Sequence, residues 1–518
     1  MNKDSSKKIK ILSILSTLIV YTGAVLIYLY ANGWRIDPLN QQVLKTGVLT
    51  VESDPFLANL TIEDKSKGRT PKSASLNVGV YNISVKKDRY FEWRKSVSIK
   101  EEKSTTVYPW LIKENIVSSN IASLEGKRYV NSWINEEENR ILILTSTHNE
   151  EDTLFTYELW IYNTDTTFWD LSTNPKVIFT TSLPEENTFS LLPSPNGQYV
   201  LLKNETSATT YILDTTRIVS AEQAKVIDIS PFSGYEISWS KDSKHLIFES
   251  NLDLISFNVE RLSRSLLLKK EKGKKYVWST DKQGYFYLIQ TAKENETERV
   301  YAYVLIQEEM DGSNPKVLIQ DLFFQKNKEY ITKYIEEDSP NKYMEFANST
   351  ASTRSVGAIV DITVSQEGQG VFILTDTASY WYNIKTKRYH LISPYSSKLV
   401  KFSSDNTKLI YKNDIGYGVF TFLNPDNDPN VEIGSKKIEN VNNTDSINWL
   451  SNSLYIYYTE ENSLYISDQE GENKTKVLDE IEKYRYFGVS PSREYIYTVS
   501  VGSTDLLEPI SIDKHVIH

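Results

Sequence analysis

The sequence of 518 residues has no cysteine, only 3 methionines and only 5 histidines. Without cysteine the chain forms no disulfide bond, no thiolate metal site and no cysteine nucleophile. It also lacks the His-Glu-x-x-His pair, the Gly-x-Ser-x-Gly elbow and the phosphate-binding Gly-x-x-x-x-Gly-Lys-Ser/Thr loop. We therefore predict that the protein is not an enzyme, with no catalytic, cofactor-binding or metal-binding residue and no cofactor.

An excess of positive charge is also missing. The chain has 58 Lys and Arg residues against 68 Asp and Glu residues, which gives a net charge of -10 at pH 7. Proteins that bind phosphate backbones need a basic surface, and no dense basic cluster follows the N-terminus. We exclude nucleic acid as a main partner and attribute the acidic balance to solubility.

The few histidines have ordinary explanations. His245 and His390 lie in predicted strands and are expected to be packing or surface residues. His515 and His518 lie in the terminal segment, where disorder is the default expectation. The remaining histidine is His148.

Acidic segments are interpreted in the same way. Residues 426–430, followed by Glu432, are rich in the oxygen ligands that Ca²⁺ prefers, but the glycine of a calcium loop is missing. Residues 467–471 lack the third-position Asp and the Trp of a sialidase Asp-box. The runs 136–138 and 150–152 are typical of exposed turns. Residues 426–430 and the runs 136–138 and 150–152 are predicted to be solvated turns, and residues 467–471 are not predicted to form an Asp-box.

A long apolar run lies near the N-terminus. Residues 11–30 read ILSILSTLIVYTGAVLIYLY, without a charge. Twenty helical residues at about 1.5 Å each span the roughly 30 Å hydrocarbon core of a membrane. Lys3, Lys7, Lys8 and Lys10 precede the run, and by the positive-inside rule this end stays cytoplasmic. We predict a cytoplasmic tail (1–10), a single-pass transmembrane signal anchor (11–31) and extracytoplasmic C-terminal domains in the cell membrane.

Two alternatives compete with the anchor. A cleaved signal peptide has an apolar region of about 7 to 15 residues that ends in small residues, whereas this run is longer and ends in Leu29-Tyr30-Ala31. A buried core helix rarely lacks a polar face along its whole length. An uncleaved anchor therefore fits the pattern best.

Residues 46–112 alternate between apolar and polar side chains, with Gly, Pro and Asp between the runs. A period of two indicates strands with one packed and one solvated face. A Lys/Gly turn is expected after the second strand. The segment is predicted to be a small antiparallel β-sandwich, with strands at residues 47–53, 60–64, 75–78, 79–85, 96–99 and 105–108.

This segment resembles the PEGA domain, a small surface β-domain of bacteria and archaea. Phe56-Leu57 stands where the family has an acidic or polar residue and Gly, a departure at its usual tight turn. The flanking residues 30–37 resemble those of membrane-anchored PEGA proteins. The resemblance implies a binding or spacer module near the envelope, without catalysis. The matching residues are Gly47, Leu49, Val51, Ser53, Pro55, Ala58, Thr70, Pro71, Leu76, Val78, Gly79, Tyr81, Ile83, Val85 and Tyr90.

A short pattern recurs along the rest of the chain. An apolar or aromatic residue, or a proline, precedes Ser, a polar turn and a run of β-forming residues, as in PSPNGQYVLL at 193–202 and WSKDSKHLIF at 239–248. Most of the intervals between openings are near the roughly 40 to 45 residues of a four-stranded propeller blade. The openings are Trp133, Pro193, Trp239, Trp278, Val364, Phe402, Trp449 and Val489.

One interval, from Trp278 to Val364, is about two periods long and contains residues 320–358, which carry no clear motif. Either one blade has degenerated there or an insertion leaves a blade loop, and we favour the insertion. The sequence leaves seven or eight blades open. A single such sheet has two apolar faces, and stacking the sheets around an axis buries both.

The pattern beginning Ser194-Pro195-Asn196-Gly197 resembles the TolB-type β-propeller repeat, which is akin to the WD40 type. Gly197 matches its turn glycine, and Ser243 and Asn406 replace that glycine in other repeats. The glycine serves a backbone with positive φ, which Asn tolerates and Ser tolerates poorly. The resemblance implies a propeller and little about function, because propellers host binding, scaffolding, lyase and hydrolase roles.

These observations predict an all-β protein: a transmembrane helix, a PEGA-like β-sandwich (46–112), and a seven- to eight-bladed β-propeller (120–512). We expect a non-enzymatic, membrane-anchored cell-surface or envelope protein whose propeller binds protein, peptide or glycan. The alternative is a hydrolase or lyase that acts on envelope glycan or peptide through carboxylates in the propeller channel. A purely structural envelope component is a third hypothesis.

Overall fold

Apart from one helix near the N-terminus, the regular structure of the protein is β-strand. Two compact units divide the chain: Met1–Asn115 with His518, and Ile116–Asp426 with Glu432–Ile517. The computed structural model describes residues 3–31, 34–37, 42–101, 103–135, 140–149, 154–164, 175–206, 209–216, 225–228, 232, 235–272, 274–295, 300–323, 359–425, 431–441, 444, 446–502 and 509–518.

The helix α1 extends from Lys3 to Ala31. Its apolar side chains are exposed, including Ile14 at 70% and Val20 at 71% of their maximal area. Among the described residues, no helix has the length and hydropathy that a membrane span requires. The transmembrane anchor stays a prediction.

The first unit contains two four-stranded sheets. One sheet has β2 at its centre, with β1, β5 and β8 as partners, and the other has the order β4-β3-β6-β7. The predicted strands are present, and β4 occupies the predicted Lys/Gly turn. The strands are β1 (Trp34–Asp37), β2 (Gln42–Val51), β3 (Asn59–Ile62), β4 (Lys65–Arg69), β5 (Lys72–Asn77), β6 (Gly79–Lys86), β7 (Trp93–Ile99) and β8 (Ser104–Val107).

The two sheets share one core, in which Leu49 of β2 packs with Leu60 of β3, Ile83 of β6 and Trp93 of β7. The fully antiparallel arrangement that we predicted is wrong in one place, because β8 pairs with β2 in parallel. Gly47 permits this pairing: a Cβ there would lie 2.4 Å from the Lys100 carbonyl oxygen.

The second unit contains, within its described residues, eight four-stranded antiparallel sheets, which we number from the N-terminus. The first four are β10 (Arg128–Asn135), β11 (Arg140–Asn149), β12 (Leu154–Asn163), β13 (Lys176–Leu183); β14 (Phe189–Pro193), β15 (Tyr199–Asn204), β16 (Thr209–Asp214), β17 (Lys225–Asp228); β18 (Glu236–Trp239), β19 (His245–Glu249), β20 (Asp253–Asn258), β21 (Ser263–Lys269); and β22 (Tyr276–Thr280), β23 (Tyr285–Asn295), β24 (Val300–Glu309), β25 (Lys316–Phe323).

The remaining sheets follow the same meander, except that the last takes its fourth strand from the start of the unit. They are β26 (Ile359–Val364), β27 (Gly370–Thr375), β28 (Ser379–Asn383), β29 (Arg388–Ser393); β30 (Lys398–Phe402), β31 (Lys408–Asn413), β32 (Gly416–Thr421), β33 (Gly434–Lys437); β34 (Ile447–Trp449), β35 (Tyr455–Glu460), β36 (Ser463–Asp468), β37 (Thr475–Asp479); and β38 (Tyr484–Val489), β39 (Tyr495–Val501), β40 (Ile510–Val516), β9 (Val117–Leu124).

The eighth sheet joins the two ends of the unit. β9 pairs with β40 from Ile510 opposite Leu124 to Val516 opposite Val117. Leu124 and Ile512 pack in one core with Ile141 of the first sheet, so the last sheet lies beside the first. The first strand β38 also lies next to β10. The arrangement fits a β-propeller.

Apolar side chains fill the spaces between neighbouring sheets. Between the fifth and sixth sheets, Trp381 packs with Phe402, Phe420 and Phe422, and its ring is stacked on that of Phe422 with centroids 4.2 Å apart. Aromatic pairs in this geometry add about 0.5–1.5 kcal/mol beyond the burial of their area. The high content of aromatic residues therefore stabilises the stacking of sheets.

Each opening of the recurring pattern lies in the first strand of a sheet, so the pattern predicts the sheets correctly. The openings and their strands are Trp133 in β10, Pro193 in β14, Trp239 in β18, Trp278 in β22, Val364 in β26, Phe402 in β30, Trp449 in β34 and Val489 in β38. Residues 320–323 of the predicted insertion belong to β25, and 324–358 lie outside the described residues. The segments 136–138, 150–152 and 426–430 also lie outside them.

A local hydrogen-bond pattern explains why the serine of the motif recurs. The backbone N–H of Ser240 donates to the His245 carbonyl at 2.9 Å, and the Ser240 hydroxyl accepts a hydrogen bond from the His245 N–H at 3.3 Å. Ser194 makes the same pair of bonds with Tyr199, at 2.8 Å and 3.0 Å. The serine therefore closes the turn between the first two strands of each such sheet.

The fourth residue of this turn has a positive φ, as the motif predicts. The angle is 68° at Gly197, 61° at Ser243 and 54° at Asn406. The Ser243 hydroxyl accepts a hydrogen bond from the Asn196 N–H of the preceding sheet at 3.0 Å. The Asn406 side chain accepts one from Gln366 N–H at 3.2 Å. The residues that replace glycine thus bond neighbouring sheets together.

Candidate functional site

Two histidines have the packing roles expected from the sequence. His245 begins β19, where its Nδ1 lies 2.7 Å from Asp242 Oδ2 and its Nε2 lies 2.9 Å from Asn258 Nδ2. His390 lies in β29 near the Phe420 ring, at 6.4 Å between centroids, and burial lowers its pKa. These contacts fix a turn and a sheet interface.

The disorder predicted for His515 and His518 is wrong. His515 lies in β40 and is 3% exposed, because β40 pairs with β39 on one side and β9 on the other. His518 is held in the first unit, where its Nε2 lies 2.9 Å from Asp54 Oδ1 and its ring stacks on Trp110. The position of these two histidines near the C-terminus therefore did not indicate disorder.

The eighth sheet carries a depression of about 650 Å³, which we call the polar groove. Its walls come mainly from β9, β39 and β40, and from the segment that enters β38. Most of its side chains are hydroxyl, amide or charged groups. The lining residues are Ser118, Ser119, Asn120, Lys483, Tyr484, Ser500, Val501, Gly502, Pro509, Ser511, Asp513 and His515.

His515 organises the buried side of the polar groove. Its Nδ1 lies 2.7 Å from the Ser118 hydroxyl, and its Nε2 lies 2.9 Å from the Thr498 hydroxyl. Burial lowers the pKa of His515 below its ordinary value of 6.5, so the imidazole is uncharged at pH 7. The buried side of the groove therefore carries an uncharged imidazole, which β9, β39 and β40 hold in place.

Asp513 is also fixed by its neighbours. Its Oδ1 accepts a hydrogen bond from Asn120 Nδ2 at 3.1 Å, and its Oδ2 accepts one from the Ser500 hydroxyl at 3.4 Å. The Asn120 Oδ1 accepts a further bond from Ser123 at 3.2 Å. Side chains held in this way lose little conformational entropy when a ligand binds.

A second cluster lies where the ends of several first strands converge. Lys241, just after β18, donates a backbone hydrogen bond to the Thr280 hydroxyl at 3.0 Å, and its ammonium group donates to the Val364 carbonyl. The same ammonium lies 5.6 Å from the centre of the Phe402 ring. Lys241, which belongs to the third sheet, thus contacts the fourth, fifth and sixth sheets.

The charges around Lys241 perturb one another. Burial lowers the pKa of Lys241 to about 8, although Asp281 and Asp361 raise it. Burial also raises the pKa of Asp281 and of Asp361. Asp281 is fully buried and accepts a hydrogen bond from the Tyr287 hydroxyl at 2.9 Å. Titratable groups with pKa values perturbed in this way cluster at functional sites.

One acidic group has the composition of a cation site. Among the described residues, Asp468, Glu470 and Glu472 bring carboxylate oxygens within 4.8 Å of one another. Asp468 Oδ1 already accepts hydrogen bonds from the backbone N–H groups of Glu470, at 3.1 Å, and Glu472, at 2.9 Å. These bonds show that Asp468 shapes the turn between β36 and β37.

The sequence offered no candidate site residue, and neither the polar groove nor the Lys241 cluster could be predicted from it. Ser118 and His515 are almost 400 positions apart, and only the pairing of β9 with β40 brings them together. The single sequence signal for the groove is the run of small polar residues at 118–120, in a strand that begins the unit.

Residues 46–115 match the family model of the PEGA domain. No curated protein sequence matches the chain. Among solved structures, the chain is similar to an oligogalacturonate lyase in complex with manganese (10% identity, 74% of this chain and 98% of that chain, TM-score 0.39). It is also similar to the dipeptidyl peptidase 4 of Porphyromonas gingivalis (11% identity, 75% and 58% covered, TM-score 0.42) and to the Dos1 propeller (11% identity, 77% and 95% covered, TM-score 0.41).

Proposed function

From the PEGA domain at residues 46–115 we propose that this chain is a non-enzymatic binding protein of the cell envelope. Its second unit, as an eight-bladed propeller, presents the polar groove to a protein, peptide or glycan ligand. Residues 11–31 anchor it in the membrane, with the N-terminus in the cytoplasm and the two C-terminal domains, residues 46–112 and 120–512, outside.

The polar groove is the observation that carries the binding proposal. It combines an accessible opening with side chains that are already fixed, notably Asn120, Asp513 and His515. Concave sites with a few well-placed polar groups are the usual form of ligand pockets. Preformed polar groups also reduce the entropic cost of association.

The location rests on separate support. Residues 11–30 have no charge and follow four lysines, and α1 exposes Ile14, Leu18 and Ile19 by 60–70% of their areas. An aqueous solvent makes such exposure costly, by about 25 cal/mol for each Å² of apolar surface. A lipid environment removes that cost.

The location has a direct test. In bacterial cells that express the full chain, we expect the protein in the membrane fraction, with protease outside the cytoplasmic membrane able to cleave within residues 46–112 and 120–512. Deletion of residues 11–31 is the matched variant and should release the protein from the membrane. Protease protection of the full chain in intact spheroplasts would contradict the proposed orientation.

The binding proposal is tested with the purified full chain in detergent. We expect it to bind members of a panel of immobilised glycans and peptides, and a Ser119→Trp change at the exposed rim of the groove should abolish that binding. Circular dichroism dominated by β-structure serves as the folding control. If the chain is folded and binds no member of either panel, the result would contradict the binding proposal.

The Lys241 cluster favours a second candidate, a hydrolase or lyase acting on envelope glycan or peptide. A lysine with a pKa of about 8 is suited to general base catalysis. Polysaccharide or peptide turnover by the full chain that disappears in Lys241→Met and persists in Lys244→Met would support this candidate. Lys244 is the matched control because it is an exposed lysine of the same turn.

A further inference from the structure

We infer that the polar groove of the eighth sheet binds a short, neutral oligosaccharide. This inference rests on the proposed binding function and names the chemical class of its ligand. The hydrogen-bonding groups, the charge, the aromatic wall and the size of the groove support it.

The groove matches the hydrogen-bonding character of sugars. A sugar hydroxyl both donates and accepts hydrogen bonds, and so do serine hydroxyls and asparagine amides. Ser118, Ser119, Ser500 and Ser511 line the groove together with Asn120. An apolar ligand would cover these groups without pairing them, whereas a hydroxyl-rich ligand would replace the hydrogen bonds that they make to water.

The charges of the groove disfavour an ionic ligand. The lining contains one basic side chain other than histidine, Lys483, and one carboxylate, Asp513. The Lys483 ammonium already lies 3.4 Å from a Glu480 oxygen and 5.2 Å from the centre of the Tyr484 ring. A phosphate or uronate group would find Lys483 as its single basic partner among the lining residues and would also face Asp513.

The groove has one aromatic wall. Tyr484 is half-buried, and its ring meets the His515 ring edge to face, with centroids 5.9 Å apart at 74°. Contact with this ring holds the aromatic side chain in one orientation. An aromatic ring offers an apolar surface beside a polar handle, which suits a ligand with a C–H face and hydroxyl edges.

The size of the groove limits the ligand. Ligand pockets typically have volumes of about 300–1,000 Å³, and the groove has about 650 Å³. That volume accommodates a few linked sugar rings, so the ligand is an oligosaccharide or the end of a glycan chain.

A peptide is the rival ligand. β9 is the outermost strand of the eighth sheet, and an extended peptide could add to its free edge through backbone hydrogen bonds. Such a ligand would depend little on the side chains in the groove. Substitution of Tyr484 therefore separates the two ligand classes.

The test is isothermal titration of the full chain with neutral trisaccharides: chitotriose, cellotriose and maltotriose. We expect at least one to bind, and Tyr484→Ala and Asp513→Asn to weaken its binding at least tenfold. Tyr108→Ala, at an exposed tyrosine of the first unit, should leave the affinity unchanged. If Tyr484→Ala lowers the melting temperature, Ser119→Trp replaces it as the groove variant.

Trigalacturonate and an unstructured Ala/Thr hexapeptide complete the titrations. Preferential binding of trigalacturonate would overturn the neutral-ligand inference. Peptide binding without trisaccharide binding would overturn the inference and leave the proposed binding function intact. A folded chain could also fail to bind every trisaccharide, the trigalacturonate, the hexapeptide and all members of the wider glycan and peptide panels. That result would contradict both the inference and the proposed function.

Discussion

The ammonium group of Lys241 donates a hydrogen bond to the backbone carbonyl of Val364, 123 residues further along the chain. Lys241 follows the first strand of the third sheet, and Val364 ends the first strand of the fifth. The two sheets are not neighbours in the order of the chain. This bond therefore depends on the convergence of the first strands in one ring of sheets.

The first prediction concerns the contribution of Lys241 to stability. Lys241→Ala should lower the free energy of unfolding by about 1–3 kcal/mol, because it leaves the Val364 carbonyl without this donor and opens space beside Phe402. Urea denaturation followed by tyrosine and tryptophan fluorescence measures the loss. Lys244→Ala, at an exposed position of the same turn, should change stability by less than about 0.5 kcal/mol, and equal effects would contradict the prediction.

A second prediction concerns pH. The pKa of Lys241 is about 8 in the folded protein, below its ordinary value of 10.5. The unfolded chain therefore holds more protons between these values, and stability from this group rises as pH increases from about 8 to 10.5. Burial raises the pKa of Asp281 and Asp361. The stability contributed by these two groups therefore falls as pH rises above their ordinary value of 3.8. The difference in unfolding free energy between wild type and Lys241→Ala should grow from pH 8 to 10.

Denaturation series at pH 6, 7, 8, 9 and 10 check this prediction. The comparison between the two proteins removes the titration of the tyrosines, which is common to both. A stability difference that falls as pH rises would show that Lys241 is not a buried lysine with a lowered pKa.

The third prediction concerns the turn position with positive φ. Ser243 has a φ of 61° and accepts the Asn196 N–H. Ser243→Ala keeps the strained backbone and loses the bond between the sheets, so it should destabilise by about 1–3 kcal/mol. Ser243→Gly also loses the bond but relieves the strain, and should destabilise less. Thermal melting of both variants tests this order, and a glycine variant less stable than the alanine variant would refute it.

The fourth prediction concerns close packing within the fifth sheet. A Cβ at Gly370 would lie 2.3 Å from Trp381 Cζ2, so Gly370→Ala should destabilise by about 1–3 kcal/mol through overpacking. Trp381→Phe removes the clash with the indole ring and leaves the contact with the Tyr382 carbonyl oxygen, which lies 2.7 Å from the same Cβ position. The cost of Gly370→Ala should therefore be smaller in the Trp381→Phe background, as a double-mutant cycle of urea denaturation measures. Additive effects would contradict the clash.

Local motifs made the sheets predictable. The serine of the turn, the residue with positive φ and the following β-forming run lie within ten residues, and their hydrogen bonds are within the same hairpin, as at Ser194 and Tyr199. The eight openings therefore located the first strands. The sequence also explained the positive φ at Gly197. It did not explain why Ser243 occupies the same strained position, because the hydrogen bond that compensates the strain at Ser243 comes from Asn196 in another sheet.

Contacts between distant segments could not be predicted in this way. The polar groove forms because β9 pairs with β40 and brings Ser118 and Asn120 beside His515 and Asp513. The sequence of β9, VSSNIASL, has no repeat motif that marks it as a partner of the last strand. The disorder wrongly predicted for His515 has the same origin, since β40 pairs with β39 on one side and with β9 on the other.

Hydrogen–deuterium exchange of the full chain with and without a saturating neutral trisaccharide tests the central claim most directly. That claim is that ligand binding takes place in the polar groove. We predict slower exchange in Val117–Leu124 and Ile510–Val516, with little change in the first unit, and no slowing in the Tyr484→Ala variant. Unchanged exchange in both strands, or slowing confined to other sheets, would contradict it.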